Sequence, residues 1–310
     1  MNINEMDINE MDINETSINE INKPFQYLSK LTSGKIRESL CNILHLWYDI
    51  KSINIIKINN ITNIVHTSSL IIDDIEDNST RRRCSDCAHI KYGLPLSLNS
   101  AYLSIFKLMS DLDEKTNNCI INCLNNLHLG QGLDILWSNN QYIPSIKEYF
   151  YMVSNKTGSL FKLINNLGSL YGIKSNNKNC EKIFEKLGFF FQIRDDLCDI
   201  IDSNYWEKKG FFEDLNEGNM SYPIILCLND KRDNYKVIKN MLGKKNSFFE
   251  KKKALNILIN NNSIKDTTTI LNKLKNEILL IDNRLNILIR QIYIPLFSYN
   301  KLLNFEKKYR

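Results

Sequence analysis

At 310 residues the chain is long enough for one large domain or two small ones, and 43% apolar and 24% charged residues are ordinary for a soluble globular protein. A net charge of +5, gathered into no long basic run, gives little support for nucleic-acid binding, and no stretch of about 18 apolar residues marks a membrane span. Eight scattered cysteines, with no secretory leader or Arg-rich transit peptide, read as reduced thiols in a cytoplasmic protein.

Residues 1–22 repeat "INE" at positions 3, 8, 13 and 18, a period that fits no packed repeat, and read as a disordered low-complexity tail ahead of a domain spanning 23–310. Helical periodicity begins near "PFQYLSKL", resumes after Gly34 through "ESLCNILHLWYDI", and continues over 54–79. Further helices are expected at 97–110, 114–137, 145–172 and 178–203, with shorter ones after Pro223. "KYGLPLS" (91–97) and "NNQYIPS" (139–145) read as connections, and the Asn-rich stretches 173–179 and 259–263 as loops. With only 5 prolines, far apart, and 11 glycines, the expected fold class is all-α in a single domain.

The chemistry concentrates in two acidic clusters. In "DDIED", Asp73 and Asp77 share a helical face, with Asp74 about 100° around from Asp73. Alone, such a run is most often a solvated face. "FFQIRDDLCDI" repeats the spacing as Asp195, Asp196 and Asp199 inside an apolar segment, where a wet surface is a poor explanation. Two D-D-x-x-D arrays facing each other across a helical bundle make an oxygen-only cage for hard divalent cations, and Mg2+ suits carboxylates that share their sites with phosphates. Cations that could hold such phosphates lie near by: Arg82 and Arg83, Lys35 and Arg37, Lys156, and Lys208 or Lys209. Singly, each reads as a surface charge.

These segments resemble the trans-isoprenyl diphosphate synthases, and within them the eukaryotic geranylgeranyl diphosphate synthase group. The markers are "GKIR", "LIIDDIEDNSTRRR", "HLGQGLDILW", "KTGSLF", "GFFFQIRDDLCDI" and "FFEDLNEGNMSYP", in family order over roughly residues 24–230. The resemblance implies the isoprenoid synthase fold, a bundle of about ten or more helices around a central apolar cavity. It also implies a Mg2+-dependent prenyltransferase that joins isopentenyl diphosphate to dimethylallyl, geranyl or farnesyl diphosphate.

Carried over by position, the metal ligands are Asp73, Asp77 and Asp195, holding a cluster of about three Mg2+ ions shared with the substrate diphosphate, with Asp74, Asp196 and Asp199 in the same catalytic arrays. Lys35, Arg37, His66 and Arg83 are expected to hold isopentenyl diphosphate, and Arg82, Lys156, Thr157, Gln192 and Lys209 the allylic diphosphate and the developing cation. Gln131 and Asp134 are assigned to helix packing and support. A homodimer or larger homo-oligomer is implied as well.

The chain departs from the family pattern at three places. "GKIR" is one residue short, Cys84 and Asp86 stand where glycine and proline are expected after the arginine pair, and Asn219 stands where a lysine is usual. Cys84, Cys87 and His89 raise a minor zinc reading that lacks a fourth ligand. Product length is expected from Ser68 and Ser69, small residues five and four positions before Asp73, where bulky aromatics in the family stop growth at fifteen carbons; they leave room for twenty, with Tyr102 a candidate deeper floor. A farnesyl or longer-chain synthase, a non-catalytic subunit of a heteromeric synthase and a terpene cyclase are the alternatives.

Overall fold

The computed structural model of the protein describes residues 15–31, 36–174 and 178–292. Sixteen α-helices follow one another in these residues: α1 (Glu15–Lys30), α2 (Ile36–Tyr48), α3 (Ser52–Glu76), α4 (Ala88–Tyr92), α5 (Leu94–Ser110), α6 (Glu114–Asn140), α7 (Ile146–Lys156), α8 (Gly158–Tyr171), α9 (Lys178–Ile201), α10 (Ser203–Lys209), α11 (Glu213–Glu217), α12 (Tyr222–Asn229), α13 (Tyr235–Met241), α14 (Phe248–Asn260), α15 (Ser263–Ile281) and α16 (Asn286–Ile292). Among the described residues the strands are β1 (Arg81–Arg82) and β2 (Ser85–Asp86), an antiparallel hairpin pairing Arg81 with Asp86. The all-α fold class is therefore as the sequence led one to expect.

α3 runs through the middle. Its buried residues, from Ile58 to Asp74, lie on every side, and it contacts α1, α2, α5 and α8. Its first half still exposes Ile53 and Ile56, while from Thr67 to Asp74 it is covered on all sides, so even the small polar side chains Thr67, Ser68 and Ser69 are buried there. α9 lies against α7, α8, α12 and α15 and buries Phe184, Leu187, Ile193 and Leu197 in the main core. The two acidic arrays thus close the C-terminal ends of two interior helices.

Three boundaries differ from the sequence expectation. α1 starts at Glu15, inside the segment expected to be disordered. It is held by tertiary contacts: Leu28 joins Ile71, Ile72, Ala88 and Ala101 in a second core cluster, and Phe25 N–H donates to Ser100 Oγ at 3.2 Å. Docking of this kind stabilises a helix whose own propensity is weak. "KYGLPLS" is not a plain connection, since it ends α4, turns at Gly93 (φ 83°) and starts α5 with a proline in its first turn, where the missing N–H is harmless.

The third difference bears on the site. The helix expected over 145–172 breaks at Thr157 into α7 and α8. A Cβ on Gly130 of α6 would lie 2.2 Å from Lys156 N, and one on Gly188 of α9 would lie 2.9 Å from Gly158 Cα. The break is gripped between two helices that approach it at backbone distance, and only glycine permits that approach.

Candidate active site

Asp73 and Asp74 occupy the last turn of α3, and Asp77 caps its C-terminus. The chain then doubles back through the β1–β2 hairpin, whose turn residues Arg83 and Cys84 both have left-handed backbone (φ 54° and 64°). Paired positive φ values are the geometry of the tightest hairpin turns. The hairpin lays Arg82 over the array, with Nη2 donating to Asp73 Oδ2 at 2.9 Å and Nε to Asp74 Oδ1 at 2.5 Å. Burial would raise the Asp73 carboxyl, but the cations Lys156, Arg82 and Lys209 outweigh it and hold it below the ordinary carboxylate range. Asp77 is pushed up to about 7 by burial and by the Asp73 charge, against the pull of Lys156.

At the end of α7, Lys156 Nζ donates to Asp134 Oδ2 of α6 at 2.6 Å and stands 3.8 Å from Asp73 Oδ1. Gln131, one turn earlier on α6, reaches Asp77 Oδ1 at 3.4 Å. Both α6 residues therefore touch the array and its lysine. Thr157, in the break, donates through Oγ1 to Gln192 Oε1 of α9.

The second array sits differently. Asp195 lines the cavity and accepts from Arg194 Nη1 at 2.6 Å. Asp196 is buried and accepts from Tyr149 Oη (2.6 Å), Tyr222 N–H (2.7 Å) and Gln192 Nε2 (2.8 Å); burial nevertheless pushes its carboxyl up to about 6. Asp199 accepts from the N–H groups of Glu213 (3.1 Å) and Asp214 (3.2 Å) at the start of α11, and burial pushes it up to about 7.

Asp73, Asp77, Arg82, Asp134, Lys156, Gln192, Asp195, Asp196, Lys209 and Asn219 line one cavity. Six further lining residues were not singled out from the sequence: Tyr149, Met152, Tyr205, Asp214, Met220 and Ser221. Asp214 had a usable signal, since it lies five residues beyond Lys209 in "FFEDL"; its Oδ1 is 3.9 Å from Lys209 Nζ. Lys209 also stands 3.5 Å from Glu217 Oε2, which accepts from Asn219 Nδ2 at 2.8 Å.

A second cavity shares Arg82 and Asp195 with the first and is lined by Ile36, His66, Leu70, Arg83, Thr157, Phe161 and Phe191, among others. Arg83 Nη1 also donates to Leu31 O at 3.0 Å. Lys35 lies outside the described residues, and of Arg37 and Lys208 only the backbone is described, in α2 and α10. Ser68 and Ser69 are buried in α3; Ser69 Oγ donates to His66 O at 2.9 Å, while Ser68 Oγ has no hydrogen-bond partner among the described residues. Tyr102 is 43% exposed on α5, so it forms no buried floor within the chain. The zinc reading also fails: Cys84 is exposed at the hairpin tip, Cys87 is buried, and no group of three metal-ligating side chains converges among the described residues.

That last finding applies to the aspartates too, whose donors are spread along α3, α6, α9 and α11. Their chemistry still fits a hard divalent cation. The ligand set is all oxygen, the cavity lining carries Asp73, Asp77, Asp134, Asp195, Asp196 and Asp214 against Arg82, Lys156 and Lys209, and burial with the neighbouring Asp73 charge holds Asp77 up near 7.

Comparison with known proteins agrees with this geometry. A family model described as polyprenyl synthetase matches residues 18–258. A protein named geranylgeranyl pyrophosphate synthase from Dictyostelium discoideum is 34% identical over 83% of this chain and 86% of its own length. One named terpene synthase, from Matsumurasca onukii, is 35% identical over 82% of this chain and 85% of its own. The chain is 37% identical to quiannulatene synthase from Emericella variicolor over 70% of this chain, but spans only 30% of that larger protein. The matched span contains every segment that builds the two cavities, and the chain belongs to the polyprenyl synthetase family, the trans-isoprenyl diphosphate synthases.

Proposed function

We propose that the chain condenses isopentenyl diphosphate with an allylic diphosphate, in the presence of Mg2+, to give geranylgeranyl diphosphate. The observation that carries this reading is the pair of adjoining cavities: one lined by both aspartate arrays with Arg82, Lys156 and Lys209, the other lined by His66 and Arg83 beside apolar walls. In it, Asp73, Asp77 and Asp195 would hold the metal, and Arg82, Lys156 and Lys209 would grip the allylic diphosphate. Bound Mg2+ supplies charge neutralisation of the leaving diphosphate. The allylic C–O bond breaks with its electron pair on oxygen, the isopentenyl double bond attacks the allylic carbon, and the proton lost goes to a diphosphate oxygen. Thr157 and Gln192 border the path of the cation, and Phe161 and Phe191 keep water from it.

Charge supports a cluster of about three ions: the six carboxylates outnumber the three cations lining the cavity, and an allylic diphosphate adds about three more negative charges. The serines at 68 and 69 support a twenty-carbon product, because a buried small side chain one turn before Asp73 leaves room that an aromatic would fill. A homodimer is supported by exposed apolar residues on two helices consecutive in the chain, Tyr102 and Phe106 of α5 and Ile121, Leu129 and Leu136 of α6. Among the described residues no helix is long and apolar enough to cross a membrane, and all eight cysteines are free, which supports a cytoplasmic location.

A second reading, a terpene synthase that cyclises its allylic diphosphate, draws on the name of the Matsumurasca onukii relative. One assay separates the two. The full chain is incubated with Mg2+, isopentenyl diphosphate and dimethylallyl, geranyl or farnesyl diphosphate in turn, and the products are chromatographed. Geranylgeranyl diphosphate from every primer is expected, with none after chelation. Farnesyl diphosphate as the end product, without extension when supplied, overturns the assigned length; a hydrocarbon product from farnesyl diphosphate alone establishes the cyclase.

A further inference from the structure

Lys251 lies on α14, beyond every motif that marks the diphosphate cavity, and is only 5% exposed. A buried ammonium persists only where fixed acceptors replace its water. Its Nζ donates to Phe211 O at 2.8 Å and to Glu213 Oε1 at 2.7 Å. Phe211 lies in the turn between α10 and α11 and Glu213 is the first residue after it; the turn's backbone is unusual, since Gly210 has φ 121° and Phe212, which is not glycine, has φ 52°. Conformations of this sort last only where surrounding contacts impose them.

The turn is held from two sides. From α9, the Asp199 carboxylate takes the N–H groups of Glu213 and Asp214, and Asp199 O takes that of Phe212 at 3.0 Å. From α14, Lys251 takes the carbonyl and carboxylate on the other side. Immediately before the turn is Lys209, the last residue of α10; immediately after it are Asp214 and Glu217, the anions that Lys209 faces. Lys209 lines both the diphosphate cavity and the cleft that Lys251 borders with Trp206, Phe211 and Phe248. Only the Asp199 side of this clamp lies within a recognised array.

We propose that Lys251 is a positioning residue for the allylic diphosphate: it fixes the Gly210–Glu213 turn so that Lys209 projects into the cavity, an inference that rests on the function proposed above. It acts through Lys209 and touches no substrate.

The test is a double-mutant cycle between Lys251→Met, which keeps an unbranched side chain one atom shorter and without charge, and Lys209→Ala, with Lys251→Arg as the conservative variant. Binding of inorganic pyrophosphate with Mg2+ is measured by calorimetry, the two KM values by steady-state kinetics, and folding by thermal melting. Lys251→Met is expected to weaken pyrophosphate binding about tenfold and to raise the KM for the allylic substrate by a similar factor. The KM for isopentenyl diphosphate should stay within about twofold, Lys251→Arg should recover most of the loss, and the double variant should be no weaker than Lys209→Ala alone. Unchanged binding, an equal rise in both KM values, or strictly additive losses overturn the inference. If Lys251→Met fails to fold, Glu213→Gln serves in its place, with a loss of about threefold confined to the allylic substrate; no loss there overturns the inference equally. A wild-type chain that binds pyrophosphate with this pattern of variants but condenses nothing refutes the proposed function alone. One that condenses without the pattern refutes only the role of Lys251, and one that binds no pyrophosphate refutes both.

Discussion

On α3 two carboxylates face cations: Asp73 and Asp74 share Arg82, and Asp73 lies near Lys156. On α9 the same spacing meets another environment, in which Asp196 and Asp199 are satisfied by a tyrosine hydroxyl, a glutamine amide and backbone N–H groups. Neutral donors that belong to the fold cannot leave with a ligand, whereas arginine and lysine side chains can turn from a carboxylate to a phosphate. An array held by cations is therefore free to exchange partners, and one held by the fold anchors its neighbours. Asp195 is the member of the second array that combines a place on the cavity with a cationic partner, Arg194.

The comparison breaks most readily at the two carboxylates on the exchanging side. Asp73→Ala and Asp195→Ala are each expected to lower kcat/KM about 1,000-fold with little change in the melting curve, because Arg82 and Lys156 retain Asp74 and Asp134 as partners when Asp73 is removed, and the Asp195–Arg194 pair is partly exposed to solvent. A melting curve that falls with the activity would place these residues among the anchors. Asp196→Ala should do the opposite. It strands the Tyr149 hydroxyl and the Tyr222 amide in the interior and should cost about 3 kcal/mol of stability by denaturant titration. A fully stable variant would remove the distinction.

Two smaller effects sharpen it. Asn219, across the cavity, donates to Glu217, the carboxylate that Lys209 also approaches. Asn219→Lys should lower the KM for the allylic substrate about threefold by restoring a cation at that wall, and an unchanged KM would show that Lys156 and Lys209 already saturate the diphosphate. Cys84 holds a left-handed conformation at the hairpin tip that aims Arg82. Relief of that strain, less the greater freedom of glycine in the unfolded chain, should make Cys84→Gly about 0.5 kcal/mol more stable by thermal melting, with unchanged kinetics.

Much of this was legible in the sequence because the two arrays carry their own spacing and flanks. "LIIDDIED" and "FFQIRDDLCD" end apolar runs, so their helices and their inward placement follow from period alone. What the spacing could not distinguish is the use made of each carboxylate, since the partners of Asp196 come from α7, α9 and α12. The break at Thr157 was illegible for a related reason. The apolar positions on either side of "SNKTGS", Val153 and Leu160, fall seven residues apart and so in phase with one continuous helix, and the cause of the break is the approach of Gly130 and Gly188 from distant segments. The start of α1 likewise depends on a groove formed by α3, α4 and α5, which no polar five-residue repeat announces.

Where Gly130 lets α6 touch the main chain at Lys156, the ammonium grows from backbone that has no room to shift. A cation already in place when negative charge develops on a departing oxygen adds little reorganisation energy to the barrier. The same lysine on a loose hinge would occupy that position only on average, and the reaction would wait for it. In the proposed reaction two residues without a functional group, Gly130 and Gly188, would thereby act on the rate through what they leave out: a methyl at either contact would prise the helices apart and give the charge room to wander.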